Sequence, residues 1–388
     1  MAASIFISYQ SCDKVGTVTT AIVAKSTRLP QAAFKVDIIR SPLYDLVFFI
    51  CPFWFTGLYA LAIHALPTYQ PLIFLLTYAF LAEAHFGSTW SFYLDAENRA
   101  FFRRSPLVFY WVPLAILIAS LVLARFLGMA TLLLLVAPLS AFHITRQSIG
   151  VVGIYRTRAD DFSRVGRRLE EVSIYCGTVC FMGLAFARSL AERFAGSSFL
   201  EGTSGRIIHS MVGPLGWLAY AAAVIGAVCA VAAIVRQALL YVDRGQPISL
   251  VRWIVFFYSV FLFAPYVVCA RFDDAVAMGV GMHYLQYLGL VWMINRNKYG
   301  GASTDASWTG ELLRATGSSW QARVLVLGGY GLLMLVLRQG GLDLSRAETG
   351  SWLYVFPVAL NTIHFHVDRY LWRFSDPYIR TAVLPYLR

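Results

Sequence analysis

The chain has 388 residues, of which 58% are hydrophobic and 14% are charged, and its formal net charge is +11. Soluble globular proteins are closer to half apolar and a quarter charged, so this composition excludes an ordinary water-soluble enzyme. The apolar residues run in long blocks, which excludes intrinsic disorder. Because one transmembrane helix takes about 20 residues, the sequence predicts an all-α, polytopic transmembrane helical bundle.

The predicted elements begin after a cytosolic or membrane-surface N-terminal segment at residues 1–40. Residues 41–388 are predicted to form a single transmembrane domain with a cytosolic loop near 299–320, which has room for a small surface helix. We expect about 10 spans, within a range of roughly 8 to 11. The apolar runs are 43–65, 70–94, 106–126, 129–156, 170–191, 211–241, 250–270, 273–294, 321–338 and 350–372.

Basic residues predict the orientation of these spans. The N-terminal segment, the C-terminus and the loops near 95–105, 156–169, 236–252 and 295–323 carry 23 of the 32 lysines and arginines. Lysine and arginine collect in the cytoplasmic loops of membrane proteins, so both termini are predicted to be cytoplasmic. The same rule accounts for the net positive charge, and we expect no nucleic-acid partner.

Histidines at membrane depth are the most informative feature of the sequence, because ionisable residues there are costly and indicate function. His85, His143, His283 and His364 lie in four different predicted spans that run in the same direction. At about 1.5 Å of rise per residue, their positions within those spans put all four near one depth. Parallel helices that present imidazole at one level predict a shared metal or cofactor site. His64 and His209 are expected at the membrane interface or in a loop.

Polar residues one helical turn from these histidines extend the predicted site. Gln147 follows His143 by four residues, Gln286 follows His283 by three, and Asp368 follows His364 by four. Such spacings place two side chains on one helix face. We predict Asp368 as a metal ligand, with an ion pair to an arginine as the alternative. The residues predicted to support the ligands are Glu83, Gln147, Gln286 and His366, although Glu83 and His366 lie near 200° around the helix from their histidines.

Imidazole, carboxylate and amide groups without a thiolate set favour non-haem iron, as one or two ions, followed by zinc, manganese or copper. The lipid bilayer surrounds the predicted site, so the expected substrate is a lipophilic small molecule, and an oxidation would also need an electron donor. Tyr284 and Tyr287 are predicted to position substrate or donate protons. Arg146 is predicted to neutralise a buried carboxylate or to meet an anionic head group.

Four dispersed histidines in a polytopic bundle resemble the bacteriorhodopsin-related-protein family of membrane β-carotene cleavage oxygenases. The resemblance rests on His85, His143, His283 and His364. It implies a membrane oxygenase with non-haem iron that acts on a carotenoid, another isoprenoid or a lipid. The stretches HITRQSIG, HYLQYLGLVWMINRNKY and HVDRYLWRFSDP also resemble uncharacterised bacterial multi-pass proteins, which implies a bacterial-type inner membrane.

Three other functions remain open from the sequence. A b-type haem protein would use histidine pairs on parallel helices, although four histidines at one level leave two unused by a single haem. A transporter would use Glu83, His143, Asp368 and arginines as a proton or anion path. A non-catalytic assembly subunit would leave the histidines unexplained. Walker, dinucleotide-binding and nucleophile-elbow motifs are absent from the sequence.

Overall fold

The computed structural model describes residues 33–50, 52–194, 203–301, 307–345 and 351–387. Most of the predicted N-terminal segment 1–40 therefore lies outside the described residues. The first part of the chain forms mainly short helices: α1 (Pro42–Phe48), α2 (Pro52–Ala65), α3 (Gln70–Thr77), α4 (Ala84–Thr89), α5 (Ser91–Leu94), α6 (Ala96–Arg104) and α7 (Val112–Leu127). A 3-10 turn at Pro67–Tyr69 and π-helical segments at Tyr78–Glu83 and Leu107–Trp111 connect several of them.

Longer helices follow from residue 129 onward. They are α8 (Met129–Arg158), α9 (Arg164–Phe194), α10 (Thr203–Arg244), α11 (Leu250–Val260), α12 (Pro265–Val268), α13 (Phe272–Tyr299), α14 (Trp308–Ser318), α15 (Trp320–Ser345), α16 (Ser351–Leu371) and α17 (Pro377–Ala382). A 3-10 turn at Leu384–Leu387 ends the described chain. Strand β1 (Phe34–Lys35) pairs in parallel with β2 (Ile248–Ser249). The all-α prediction is thus confirmed, and α14 is the small helix expected in the loop near 299–320.

Six helical segments of the described residues are long and apolar enough to cross a membrane, which indicates a membrane protein. They are Pro67–Leu94, Leu107–Leu127, Thr131–Arg158, Arg164–Arg188, Gly213–Arg244 and Trp320–Gln339. Large apolar side chains on their outer faces are exposed, among them Ile118 on α7 and Val228 on α10. In a bilayer those side chains face lipid rather than water.

Two of the ten predicted spans are broken. The run 43–65 divides between α1 and α2, because Pro52 opens a new helix and proline is favoured in the first helical turn. The run 250–270 divides between α11 and the four-residue α12, which begins at Pro265. The runs 273–294 and 350–372 form the single helices α13 and α16, but both are more polar than the six apolar segments.

Helix α13 lies at the centre of the bundle, and nearly all of its residues from Val280 to Ile294 are buried. It packs against α2, α4, α8 and α14. Helix α15 approaches the π-helical segment before α4 closely, because a Cβ atom on Gly331 would lie 1.9 Å from the Ala79 carbonyl oxygen. Only glycine permits that approach, which fixes the position of the helix that follows the π-helical segment.

Ion pairs join the ends of four helices in what we call the arginine–carboxylate cluster: Arg156, Asp161, Glu170, Arg236 and Arg252. Arg156 bonds Glu170 at 3.1 Å, and Arg252 bonds both Asp161, at 2.9 Å, and Glu170. Burial acts to raise the pKa of Asp161, but the guanidinium groups of Arg252 and Arg156 outweigh it and hold that pKa below its usual value. The cluster therefore ties α8, α9, α10 and α11 together beside the loop that contains Asp161.

Candidate metal centre

Four histidines and one aspartate converge inside the bundle, and we call them the histidine cluster: His85, His143, His283, His364 and Asp368. They come from α4, α8, α13 and α16. The ring centroids of His85 lie 4.7 Å from His283 and 4.5 Å from His364. His143 lies 5.2 Å from His283 and 4.9 Å from His364. The structure therefore brings together all five residues that the sequence singled out as ligands.

The spacing of the donor atoms fits a metal ion. The Nε2 atoms of His143 and His364 are 3.2 Å apart. Two nitrogens bound to one ion at about 2.1 Å lie roughly 3.0 to 3.4 Å apart for octahedral to tetrahedral angles. Asp368 Oδ2 lies 3.6 Å from His364 Nε2 and 3.9 Å from His143 Nε2. Ligand atoms lie within 4.8 Å of one another in two sets, His85 with His143 and His283, and His143 with His364 and Asp368.

Several polar atoms of the histidine cluster are buried without a hydrogen bond to any described residue: both ring nitrogens of His85, Nδ1 of His283 and Oδ2 of Asp368. The Ala82 carbonyl lies beside the His85 ring, outside hydrogen-bond geometry. The His85 and His364 side chains are fully buried, and Asp368 is 3% exposed. Buried polar atoms are almost always paired, so a set of unpaired nitrogens and a carboxylate oxygen that converge is the pattern of a ligand-binding site.

A chain of hydrogen bonds orients His364. Tyr287 donates its hydroxyl proton to Asp368 Oδ1 at 2.7 Å, and Thr89 Oγ1 lies 2.7 Å from the Tyr287 oxygen and 2.7 Å from His364 Nδ1. Because Tyr287 uses its proton on Asp368, Thr89 donates to Tyr287 and accepts from His364 Nδ1–H. A neutral His364 then carries its lone pair on Nε2, which is the nitrogen that faces His143 and Asp368.

Local structure explains this arrangement. His364 and Asp368 share one face of α16 because four residues make just over one helical turn. The π-helical segment Tyr78–Glu83 ends two residues before His85. A π turn takes up one extra residue, so the side chains after it are rotated by about 100° relative to those before it. π-Helical turns of this kind are frequent at functional sites.

Two of three other predicted residues, Gln147 and Tyr284, contact the histidine cluster. Gln147 donates from Nε2 to the His283 carbonyl at 3.1 Å, which fixes the backbone of that ligand to α8. The Tyr284 ring packs against His85 with centroids 5.2 Å apart. Gln286 is buried but points away, since its Nε2 donates to the Phe49 carbonyl at 3.4 Å.

Three predicted residues lie away from the histidine cluster, and the expected places of Glu83 and His366 in the site are corrected here. Glu83 forms an ion pair with Arg338 at 2.7 Å, because its side chain points toward α15. His366 donates from Nε2 to the Val108 carbonyl at 2.9 Å, since two residues turn it to the opposite face of α16 from His364. Arg146 is exposed and donates to the Tyr175 hydroxyl at 3.2 Å. It forms no ion pair with a carboxylate of the described residues, and its contact with an anionic head group stays a prediction.

Aromatic side chains enclose the histidine cluster on two sides. Phe86 lies 5.1 Å from His364 between ring centroids, and Phe365 is stacked on His143 at 4.7 Å. Phe142 and Trp90, which lie close to His143 and His85 in the sequence, do not reach the cluster. Phe142 is exposed and stacks on Tyr175, and the Trp90 indole donates to the Tyr330 hydroxyl at 3.2 Å.

Thr89 is the residue of this site that the sequence analysis missed. It follows His85 by four residues, the same spacing that selected Gln147, Tyr287 and Asp368. The spacing rule applied to His85 would therefore have found it. Its contact with His364 on another helix is visible only in the structure.

No family model, curated protein or solved structure matches this chain. The resemblance to membrane carotenoid oxygenases therefore rests on the four histidine motifs alone.

Proposed function

We propose that the histidine cluster binds a transition metal and that the protein is a membrane-embedded, metal-dependent oxidoreductase. The observation that carries the proposal is the convergence of four imidazoles and one carboxylate, with unpaired donor atoms, in a buried site. Nitrogen and oxygen ligands without thiolate favour iron, with zinc, manganese or copper as weaker candidates. Iron held this way would supply oxygen activation and electron transfer to a bound substrate.

A single ion is the simpler arrangement. His143 belongs to both sets of ligand atoms. Its Nε2 is directed toward His364 and Asp368, and one imidazole nitrogen offers one lone pair to one ion. Four histidines and Asp368 are the residues that would hold the ion, with His143 common to both sets.

The protein's own residues would hold the ligands and shape the substrate site. Asp368 accepts the Tyr287 proton at Oδ1 and keeps Oδ2 toward the histidines. The chain of hydrogen bonds through Thr89 keeps the proton of His364 on Nδ1 and leaves Nε2 unprotonated. Phe86, Phe365 and Tyr284 supply apolar walls that exclude water. The substrate class that fits such walls within a bilayer is lipophilic: a carotenoid, another isoprenoid or a lipid.

The ring packing disfavours the haem interpretation. Two axial imidazoles of one haem have ring centroids about 6 Å apart, because the porphyrin plane lies between them. The His85 ring lies 4.5 Å from His364 and 4.7 Å from His283. A porphyrin between either pair would require the helices to separate. The His85 and His143 rings lie 6.4 Å apart, but a porphyrin between them would meet the His283 and His364 rings, each of which lies within 5.2 Å of both.

Metal analysis with an absorption spectrum of the purified full-length protein tests the proposal. We expect about one iron per chain and no Soret band. A Soret band would support the haem alternative, and protein without stoichiometric metal after anaerobic incubation with ferrous iron would contradict a metal centre. His64→Ala is the matched control for the ligand variants, because His64 is exposed at the end of α2.

We also propose that the protein lies in a bacterial-type inner membrane with both termini cytoplasmic, on the strength of the basic loops. Reporters fused after Arg388 and inserted near Arg164 should then read cytoplasmic, and a reporter near Ser204 should read external. A cytoplasmic signal near Ser204 would contradict this orientation.

A further inference from the structure

Arg323 differs from the other arginines that are buried in the described residues. Arg156 and Arg252 each form ion pairs with carboxylates. Arg323 is 7% exposed, and it forms no ion pair with a described residue. Its one hydrogen bond to a described residue runs from Nη2 to the Leu288 carbonyl at 3.3 Å. The guanidinium group has five N–H donors and stays charged at any ordinary pH, so burial cannot neutralise it.

Nearby groups do not balance this charge. The Tyr44 hydroxyl lies close to Arg323, but it donates its proton to the Gly289 carbonyl at 2.6 Å and is neutral. A charge that is buried without a partner destabilises the folded protein. A negative group that arrives from outside the chain would remove that destabilisation.

Arg323 lines a cavity of about 170 Å³ between α4, α5, α13, α14 and α15. Asn295 also lines it and is 3% exposed, and its side-chain amide makes no hydrogen bond to a described residue. The Ser91 and Thr316 hydroxyl groups donate to the Ser88 and Leu312 carbonyls, which leaves Arg323 and Asn295 as the donors toward the cavity. Leu313 and Leu327 add apolar surface. Helix α14 packs closely on α13 beside the cavity, because a Cβ atom on Gly317 would lie 2.7 Å from the Asn295 carbonyl oxygen.

We propose that this cavity binds an acidic group, a phosphate or carboxylate, through Arg323 and Asn295. Guanidinium pairs with both groups through two parallel hydrogen bonds. A volume of about 170 Å³ has room for an acidic head group and only a few carbon atoms. Its leucine-rich wall suits an amphiphile whose chain continues into the bilayer, and a free anion shares the same head-group chemistry. This site is separate from the histidine cluster. A negative result at the cavity would therefore not contradict the proposed metal centre.

Isothermal titration of the full-length protein in a neutral detergent tests the site with dodecyl phosphate and with inorganic phosphate. We expect saturable binding that Arg323→Gln weakens at least about tenfold. Arg314→Gln should leave the affinity within about twofold, because Arg314 is exposed on α14. Tighter binding of dodecyl phosphate would assign the site to an amphiphile, and equal affinities would assign it to a free anion. Unchanged affinity in Arg323→Gln would overturn the proposal, as would no saturable binding of either probe.

A second variant keeps the test decisive if Arg323→Gln fails to fold. Asn295→Asp places a carboxylate of the chain itself in the same cavity as Arg323. It should raise the thermal stability of the ligand-free protein and weaken binding of dodecyl phosphate at least about tenfold. A lower thermal stability together with unchanged binding would contradict an anion site at Arg323.

Discussion

The arginine–carboxylate cluster and the histidine cluster are both buried and polar, but they differ in whether their polar atoms have partners within the chain. Asp161 and Glu170 each contact two arginines or more. In the histidine cluster, by contrast, both ring nitrogens of His85 and Oδ2 of Asp368 lack a hydrogen bond to a described residue. The first cluster pairs its charged groups with opposite charges and leaves only Arg252 Nε buried without a hydrogen bond to a described residue, whereas the second leaves several ligand atoms unpaired at one point.

This difference separates a structural role from a binding role. A buried ion-pair network connects helices and loses stability when one member is removed. Burying unpaired polar atoms destabilises the folded protein, because those atoms lose their hydrogen bonds to water. A ligand that binds to them stabilises the folded protein again. Mutations in the two clusters should therefore affect different measurements.

The largest expected effect on stability is in the arginine–carboxylate cluster. Glu170→Gln removes the carboxylate between Arg156 and Arg252 and leaves two guanidinium groups undercompensated, so we expect a loss of about 3 to 5 kcal/mol in the free energy of unfolding. Glu171→Gln is the matched control, since Glu171 pairs with the exposed Arg167 and should change stability by less than about 1 kcal/mol. Equal losses in a denaturation series would contradict the structural role.

The largest expected effect on metal content is at His364. We expect His364→Ala to lower iron affinity at least about 100-fold. The substitution removes a ligand and also the hydrogen bond between His364 and Thr89. His366→Ala on the same helix should keep its iron, since His366 bonds the Val108 carbonyl instead. Competition with a chelator of known affinity measures both. Full iron in His364→Ala would identify that histidine as a packing residue.

Asp368→Asn distinguishes a ligand from a supporting residue. A neutral amide is a poor ligand for iron, so a direct ligand should cost more than about 100-fold in affinity, whereas a residue that only orients His364 should cost about 10- to 100-fold. We expect the larger loss, because Oδ2 faces His364 at 3.6 Å and Oδ1 is already held by Tyr287. A folded variant with unchanged iron and turnover would remove Asp368 from the site.

The smallest expected effect is at Thr89. Thr89→Val keeps the side-chain shape but breaks the relay between Tyr287 and His364, so we expect a loss of about 10- to 100-fold in iron affinity. Thr362→Val on α16 is the control, because Thr362 bonds only the carbonyl of its own helix at Val358. Equal affinities of the two variants for iron would exclude the relay.

The sequence predicted the helical class, the membrane-spanning character and the five converging residues, because long apolar runs and costly polar residues are strong local signals. It did not predict the breaks at Pro52 and Pro265, because hydropathy alone does not show where one helix ends and the next begins within an apolar run. The prolines are the local signal for those boundaries. Thr89 and Arg323 escaped for another reason: each acts through contacts between helices that are distant in the chain. Glu83 was predicted to support the metal site because its actual partner, Arg338, lies 255 residues away in the chain. A contact over that separation cannot be inferred from local spacing.

X-ray absorption at the iron edge of the purified protein tests the metal centre most directly, because it reports the atoms bound to the ion. Four histidines and Asp368 predict a shell of nitrogen and oxygen atoms at about 2.0 to 2.2 Å with the multiple scattering of imidazole rings, and a weaker imidazole signal in His143→Ala. A shell without imidazole scattering, or one unchanged in His143→Ala, would contradict a metal centre at the histidine cluster.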